Sequence, residues 1–213
     1  MDDVPHRIEH TVLGPTTTWD DVMTVLDDAL EYGMRACVPS CYVEQAVEYA
    51  PGVDVTAVIG FPHGQQPVET KCQEAVYAWD AGAAEVDVVP NLGTVPAEAY
   101  DALAEELMEV TAAVPIPVKV IVESPLFEAE QLRQVGEAAV EADVDFLKTS
   151  TGFTEGGATV DDVALLSEYR DVKASGGVGS WLFARELFDA GATRIGASSG
   201  VKIVEEYYES DDD

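Results

Sequence analysis

The sequence predicts a (β/α)8 barrel, an α/β fold, formed by a single domain over residues 1–213. Three observations predict it. Short runs rich in β-branched residues alternate with longer amphipathic segments along the whole chain, which is typical of parallel strands joined by helices. Eight such runs occur, the number that closes a barrel. No Pro/Ser-rich linker divides the chain, and 213 residues suffice for one compact barrel.

The predicted strands are separated by segments with helical periodicity. The strands are predicted at residues 10–13, 35–38, 55–59, 85–89, 118–122, 145–149, 172–174 and 194–197. Apolar residues at helical spacing follow the first strand at Val22, Leu26 and Ala29, similar patterns follow the others, and a final helix is predicted at 201–208. An open Rossmann-like sheet would need a glycine fingerprint after an early strand, and residues 60–64 (GFPHG) do not match it.

Capping residues indicate where several helices begin and end. Thr18 and Thr159 precede acidic first turns, so each can accept a hydrogen bond from a backbone N–H at a helix N-terminus. Gly33, Gly82 and Gly191 follow helical segments, at positions where a left-handed residue commonly ends a helix.

The composition is strongly acidic. Asp and Glu number 41 against 11 Lys and Arg, which gives a formal net charge of −30. This charge destabilises a compact fold by self-repulsion unless salt screens it, and molar salt shortens the Debye length to about 3 Å. We therefore expect a salt-adapted (halophilic) source. Nucleic acid and anionic membranes are excluded as partners because both would be repelled. A small phosphorylated substrate would need local positive charge.

The sequence indicates a cytoplasmic protein without a metal site. No apolar segment approaches the roughly 18 residues of a membrane-spanning helix, and residues 1–11 do not form a signal peptide. The cysteines are too few and odd in number for a disulfide framework, so we expect free thiols. Neither the cysteines nor the histidines have the spacing of metal ligands. They are Cys37, Cys41, Cys72, His6, His10 and His63.

Lysine is rare in this chain, and its positions are informative. Only five lysines occur, and three of them, Lys119, Lys148 and Lys173, lie within predicted strands. Each could be an ion-paired structural residue. However, neighbouring ammonium groups and an apolar wall both disfavour a charged amine, so we expect one lysine with a lowered pKa, a nucleophile suited to Schiff-base chemistry. In a barrel, the carboxyl ends of the strands converge on one mouth, where catalytic residues lie.

Asp87 is an acidic residue within an apolar strand. Alternation places it on the same face as Glu85 and Val89. If this face points toward the strand lysines at the barrel mouth, Asp87 can relay protons during imine formation and carbon–carbon bond chemistry. The alternative is a buried structural acid paired with a lysine.

Two glycine-rich segments predict a phosphate site. Residues 175–180 (SGGVGS) follow the seventh strand, and residues 196–200 (GASSG) follow the eighth and open a helix. Glycines let backbone N–H groups approach an anion, serines add donors, and a helix N-terminus adds positive potential. The loops after these two strands are where such barrels commonly bind phosphate.

With these motifs, the chain resembles the deoxyribose-phosphate aldolases from about Ile8 to Gly200. The most specific segment is 145–153 (DFLKTSTGF). Supporting segments are 8–13 (IEHTVL), 58–64 (VIGFPHG), 85–89 (EVDVV), 172–177 (VKASGG) and 194–200 (RIGASSG). The resemblance implies that Lys148 forms an imine with acetaldehyde or the open-chain sugar. It implies that Lys173 favours the neutral, nucleophilic form of that amine and that Asp87 takes part in proton transfer.

The implied reaction is reversible cleavage of 2-deoxy-D-ribose 5-phosphate to D-glyceraldehyde 3-phosphate and acetaldehyde, without metal or organic cofactor. The family commonly forms dimers or larger assemblies, so a homo-oligomer (dimer or tetramer) is expected. The residues expected at the substrate are Thr11, Cys37, Lys119, Thr149, Gly152, Gly176, Gly177, Ser198 and Ser199. The glycines of this set and the two serines are those implied to receive the phosphate. For Cys37 a small buried hydrophobe is the alternative.

Some positions depart from the family pattern. Glu9 stands where aspartate is usual, and Gly14 replaces a lysine often found after the first motif. Phe153 occupies a place where some members carry lysine, so phosphate binding would rest more on backbone donors. Tyr207 and Tyr208 precede an acidic tail, and the role of a C-terminal tyrosine in some members is not carried over to them.

Three alternatives stay open. A transaldolase-like enzyme or another Schiff-base sugar-phosphate aldolase would use the same lysine and phosphate site with a ketone donor. A metal-dependent aldolase would lose activity in excess chelator. A noncatalytic phosphate-binding barrel would keep its ligand affinity when Lys148 is replaced by alanine, with no turnover to lose.

Overall fold

The β-branched runs form parallel strands, each hydrogen-bonded to the next along the chain. A computed structural model describes residues 3–211, and within them the eighth strand pairs with the first to close a barrel, the (β/α)8 (TIM barrel) fold. The strands are β1 Ile8–Thr11, β2 Arg35–Pro39, β3 Val55–Ile59, β4 Glu85–Val88, β5 Val118–Ile121, β6 Phe146–Lys148, β7 Asp171–Ser175 and β8 Ala192–Ala197. All eight predicted strands are confirmed, with boundaries that differ by up to two residues.

The boundaries follow from pairing between neighbours. β1 begins two residues earlier than predicted because Ile8 pairs with Ile195 and His10 with Ala197 of β8. β8 likewise begins at Ala192, which pairs with Val172. Such pairing depends on residues distant in sequence, so local β-propensity does not report it.

One helix follows each strand and covers the barrel. The helices are α1 Trp19–Tyr32, α2 Val43–Tyr49, α3 Val68–Asp80, α4 Tyr100–Ala113, α5 Ala129–Glu141, α6 Val160–Leu166, α7 Trp181–Asp189 and α8 Gly200–Asp211. The Thr18 side chain accepts from the Asp21 N–H in a capping box, and that of Thr159 accepts from the Asp162 N–H, as predicted. Gly33 ends α1 with φ 71°. Over residues 3–211, no helix has the length and apolar character needed to cross a membrane.

The barrel separates an apolar layer from a charged interior. On β4, Val86 and Val88 pack in the hydrophobic core, whereas the alternate residues Glu85 and Asp87 contact lysines inside the barrel. Leucines of the surrounding helices complete the apolar layer, and burying each such side chain contributes about 1.5–3 kcal/mol. Ion pairs therefore occupy much of the interior that branched aliphatic residues usually fill.

Candidate active site

A cavity of about 440 Å³ opens at the carboxyl ends of the strands. Its walls come from the ends of β1, β6, β7 and β8 and from the loops that follow them. Seven of the residues predicted at the site line it. They are Thr11, Lys148, Gly152, Gly176, Gly177, Ser198 and Ser199. The fold thus brings together the predicted nucleophile and both glycine-rich segments, which are far apart in sequence.

Lys148 supplies the amine of this cavity wall. It is the last residue of β6, and only 3% of its surface is exposed. Its Nζ lies 2.9 Å from Oδ2 of Asp87. No other lysine lines the cavity within the part of the chain that the structure describes. Lys148 is therefore the lysine that a substrate carbonyl can reach.

Asp87 lies beneath Lys148 and contacts three ammonium groups. Its Oδ1 accepts from Lys119 at 3.1 Å, and its Oδ2 accepts from Lys148 at 2.9 Å and from Lys173 at 2.6 Å. Complete burial alone would raise the pKa of Asp87, but Lys119, Lys148 and Lys173 together hold that pKa well below its ordinary value. Asp87 is therefore ionised in the resting site near neutral pH, and it does not line the cavity.

The pKa values of Lys119 and Lys173 are raised, so neither of them is the lysine with a lowered pKa that the sequence predicts. Burial lowers the pKa of each, but the carboxylates of Asp87 and Glu9 outweigh this effect. Lys173 donates to both carboxylates. The expectation counted only neighbouring ammonium groups and an apolar wall, and it omitted acids that approach across the barrel. Lys119 and Lys173 are thus fixed positive charges.

A lower layer of ion pairs continues from Lys119 toward the other end of the barrel. Glu85 lies 2.5 Å from Lys119 and 3.1 Å from Arg35, and Arg194 lies 3.4 Å from Glu85. Burial raises the pKa of Glu9, but Lys119 and Lys173 outweigh it and lower that pKa overall. These opposite charges compensate one another where water is excluded.

The two glycine-rich segments lie together on the cavity wall. Gly176 and Gly177 have φ 96° and 76°, in the left-handed region that favours glycine. A Cβ at Gly196 would lie 2.8 Å from Cε of Lys173, so only glycine allows this close approach. Helix α8 begins at Gly200, directly after the two serines that line the cavity. A helix N-terminus and glycine N–H groups together suit a phosphate.

Lys202 connects these two segments. Its Nζ donates to the carbonyl of Gly179 at 2.8 Å, which ties α8 to the loop after β7. Lys202 itself does not line the cavity, and the other lysine outside the predicted strands, Lys71, is buried against Glu106.

Three residues predicted at the substrate do not reach the cavity wall. Lys119 and Cys37 are fully buried, and burial raises the pKa of the Cys37 thiol, which favours the alternative of a small buried hydrophobe. The Thr149 hydroxyl donates to the carbonyl of Ser175 at 2.8 Å and accepts from its N–H at 2.9 Å, so it ties β6 to β7.

One cluster in residues 3–211 has metal-like spacing. Glu9, Cys37 and Asp87 bring possible ligand atoms within 4.8 Å of one another. The Lys173 ammonium already bridges the two carboxylates, and the raised pKa of Cys37 disfavours the thiolate that metals require. The donor set therefore fits a buried lysine better than a metal ion.

Sequence reasoning missed two residues of the cavity wall. Leu13 and Thr151 line it but were not predicted at the site. Each is adjacent in sequence to a predicted site residue or within one of the matched segments, and that proximity was the available signal. A second, more apolar cavity of about 470 Å³ adjoins the first at Leu13, Gly14 and Phe153.

The chain is similar in sequence to curated deoxyribose-phosphate aldolases. That of Haloarcula marismortui is 59% identical over 97% of this chain and 89% of the relative. That of Halobacterium salinarum is 50% identical over 95% of this chain and 96% of the relative. Both organisms are halophilic archaea, which confirms the predicted salt-adapted origin. No protein-family model matches the chain.

Solved structures agree with the sequence relatives. An aldolase named QR15 superposes with a TM-score of 0.94 at 38% identity, covering 99% of this chain and 98% of its own. The deoxyribose phosphate aldolase from Aeropyrum pernix, described as tetrameric, superposes with a TM-score of 0.87 at 35% identity. The match covers 98% of this chain and 92% of that structure's chain. Identities of 50–59% over nearly the whole length exceed what fold similarity alone produces. The chain belongs to the deoxyribose-phosphate aldolase family.

Proposed function

We propose that this enzyme reversibly cleaves 2-deoxy-D-ribose 5-phosphate to D-glyceraldehyde 3-phosphate and acetaldehyde through an imine on Lys148. The observation that carries the proposal is the position of Lys148. Its amine lies on the wall of a cavity whose other walls are the two glycine-rich anion-binding segments. A sugar phosphate bound there would direct its phosphate to the glycines and its carbonyl to the amine.

The chemistry follows from an amine nucleophile. The neutral amine of Lys148 adds to C1 of the open-chain sugar, and loss of water gives an iminium ion. The C3 hydroxyl then loses its proton, the C2–C3 bond breaks, and its electron pair moves into an enamine on Lys148. Glyceraldehyde 3-phosphate leaves, the enamine takes a proton at C2, and water releases acetaldehyde and the lysine. The iminium is the electron sink, so the sequence of steps uses no metal or organic cofactor.

Asp87 and Lys173 prepare the amine for these steps. Asp87 lies 2.9 Å from the Lys148 amine, within direct reach for accepting or returning a proton. Lys173 stays protonated because Asp87 and Glu9 raise its pKa, and it lies 2.6 Å from Asp87 Oδ2. Lys173 thereby compensates the Asp87 charge beside the Lys148 amine and holds the carboxylate in position.

The phosphate would be bound by backbone N–H groups of Gly152, Gly176 and Gly177 and by Ser198 and Ser199. All five line the cavity. Phe153 also lines it, where some family members carry lysine, so backbone donors supply most of the binding here. We further propose a cytoplasmic homo-oligomer, a dimer or tetramer. The tetrameric relative from Aeropyrum pernix supports assembly.

Borohydride trapping tests the proposed intermediate. Incubation with 2-deoxyribose 5-phosphate and sodium borohydride in concentrated KCl should inactivate the enzyme and leave a reduced adduct on the peptide that contains Lys148. Peptide mass spectrometry locates the adduct. The Lys148→Met variant is the control, and an excess of chelator should not change wild-type turnover. A folded sample that gives no adduct, or an adduct on another lysine, would refute the proposal.

Salt should be required for both folding and activity. The net charge of −30 repels itself at low ionic strength, and salt screens this repulsion. We expect the melting temperature and the turnover rate to rise together with KCl concentration toward the molar range. Circular dichroism and aldolase assays at matched salt concentrations measure the two. Full activity with an intact fold in salt-free buffer would contradict this prediction.

A further inference from the structure

Three donors converge on the carboxylate of Glu123, an acid without a role in the reaction described above. Glu123 follows β5, is 1% exposed, and has φ 49°, a conformation rare for non-glycine residues. Thr151 donates to it from its backbone N–H at 3.1 Å and from its hydroxyl at 2.6 Å. The Thr154 hydroxyl donates at 2.9 Å. Glu123 is therefore bound to the loop between β6 and α6.

The Thr151 hydroxyl connects Glu123 to a second backbone donor. Since the hydroxyl proton is directed to the carboxylate, an oxygen lone pair is free to accept the N–H of Phe153, at 3.1 Å. The backbone N–H groups of Thr151 and Phe153 are thus both satisfied within this network. The N–H between them belongs to Gly152, which has φ 81° and lines the cavity. That N–H has no acceptor among residues 3–211.

A buried carboxylate near an anion site requires a compensating benefit. Its charge repels a phosphate, and the repulsion is weakly screened where water is excluded. A carboxylate is also a stronger acceptor than a neutral oxygen, so it fixes the donors around it more firmly. At Glu123 these donors belong to the loop that carries Gly152. The carboxylate therefore repels a phosphate to some extent, but it also fixes the orientation of one backbone donor.

We propose that Glu123 is a positioning residue that holds Thr151 and Phe153 so that the Gly152 N–H donates to the substrate phosphate. The identity of the phosphorylated substrate rests on the proposed function. The positioning of the Gly152 N–H does not rest on it, because binding of inorganic phosphate alone can be measured at this donor.

Comparing substrates with and without phosphate tests this role. We expect Glu123→Ala to lower the ratio of kcat/KM for 2-deoxyribose 5-phosphate to kcat/KM for 2-deoxyribose by about tenfold, mainly through KM, since a hydrogen bond to a charged group is lost. Cleavage of 2-deoxyribose should remain nearly unchanged. Glu123→Gln should have a smaller effect, because its amide oxygen still accepts one donor. A merely structural role would lower kcat/KM for both substrates equally.

Two further variants isolate the Thr151 relay. Thr151→Val removes the hydroxyl but leaves the carboxylate, and we expect it to lower the substrate ratio as Glu123→Ala does. Thr154→Ala is the matched control, because it also removes one hydroxyl donor to Glu123 but leaves Thr151 and Phe153 connected. Its ratio should match wild type. Equal losses in the two threonine variants would contradict the proposal, as would an unchanged or increased ratio in Glu123→Ala.

Calorimetric titration with inorganic phosphate, in concentrated KCl, separates this inference from the proposed reaction. The affinity for inorganic phosphate should be lower in Glu123→Ala than in wild type, with melting curves that show both are folded. If Glu123→Ala binds phosphate more weakly than wild type while wild type does not cleave 2-deoxyribose 5-phosphate, the positioning role is supported and the proposed reaction is refuted. Equal affinities in the two proteins would overturn the positioning role whatever the activity.

Discussion

Replacing Lys148 by methionine should lower the turnover of 2-deoxyribose 5-phosphate by roughly 10⁴-fold or more, because the imine cannot form without the amine. Methionine keeps an unbranched side chain of similar length in a site that is 3% exposed, so packing changes little. The variant should also give no borohydride adduct. A coupled assay for glyceraldehyde 3-phosphate measures the loss.

Two comparisons show whether the loss is chemical. Lys148→Arg keeps a positive charge beside Asp87 but has no amine that can form the imine, so it should be as inactive as Lys148→Met. Both variants should still bind inorganic phosphate, since the glycine-rich loops are untouched. Substantial turnover in either variant would refute the Schiff base on Lys148. Unaltered ligand binding together with an inactive wild type would favour the noncatalytic phosphate-binding barrel.

The fold could be predicted because its determinants are local. Each βα unit carries its own signals, such as the β-branched run of β3, the capping Thr18 and the terminal Gly33. The exact strand ends could not be predicted because they depend on pairing with a neighbouring strand. β1 ends at Thr11 rather than at residue 13 for this reason.

The cluster of lysines around Asp87 could be predicted in part because charge is unusual in a strand. Lys148 and Asp87 interrupt apolar runs, and the structure places their side chains 2.9 Å apart. The sign of the lysine pKa shifts was not readable from neighbouring lysines alone. It depends on Asp87 and also on Glu9, which approaches Lys173 from a strand 164 residues away in sequence. Only the closure of the barrel brings this acid to the lysines.

Glu123 illustrates a second limit of the sequence. Its role depends on the direction of single backbone N–H groups at Thr151 and Phe153, and no composition or periodicity reports such directions. By contrast, Thr149 directly follows Lys148 in the sequence and still does not line the cavity. Proximity to a nucleophile does not by itself identify a substrate contact.

Replacing Asp87 by asparagine should reduce both stability and turnover. The variant leaves the ammonium groups of Lys119, Lys148 and Lys173 without their shared carboxylate in a fully buried site. Breaking a buried ion pair in this way costs about 3–5 kcal/mol of unfolding free energy. Turnover should fall by roughly 10²–10⁴-fold, the range for loss of a proton-transfer group. Chemical denaturation in concentrated KCl and steady-state assays measure the two effects.

The pH dependence of unfolding should change in a defined direction. Because the folded pKa of Asp87 is depressed, its stabilisation is present above the unfolded value of about 3.9 and is lost as pH falls through the folded pKa. Because the folded pKa values of Lys119 and Lys173 are raised, their contribution is present below about 10.4 and is lost as pH rises through the folded pKa values. In Asp87→Asn, the loss of stability at low pH should be smaller than in wild type. The loss of stability at high pH should begin at a lower pH.

Glu9→Gln is the matched control, because it removes another fully buried carboxylate that contacts Lys119 and Lys173 but not Lys148. Its stability should fall by a similar amount, and its loss of stability at high pH should also begin at a lower pH than in wild type. Its turnover should fall far less than that of Asp87→Asn. Equal losses of turnover in the two variants would mean that Asp87 acts only as structural charge compensation. A selective loss in Asp87→Asn would locate proton transfer at the 2.9 Å contact between Asp87 and Lys148, because that contact is what separates the two acids.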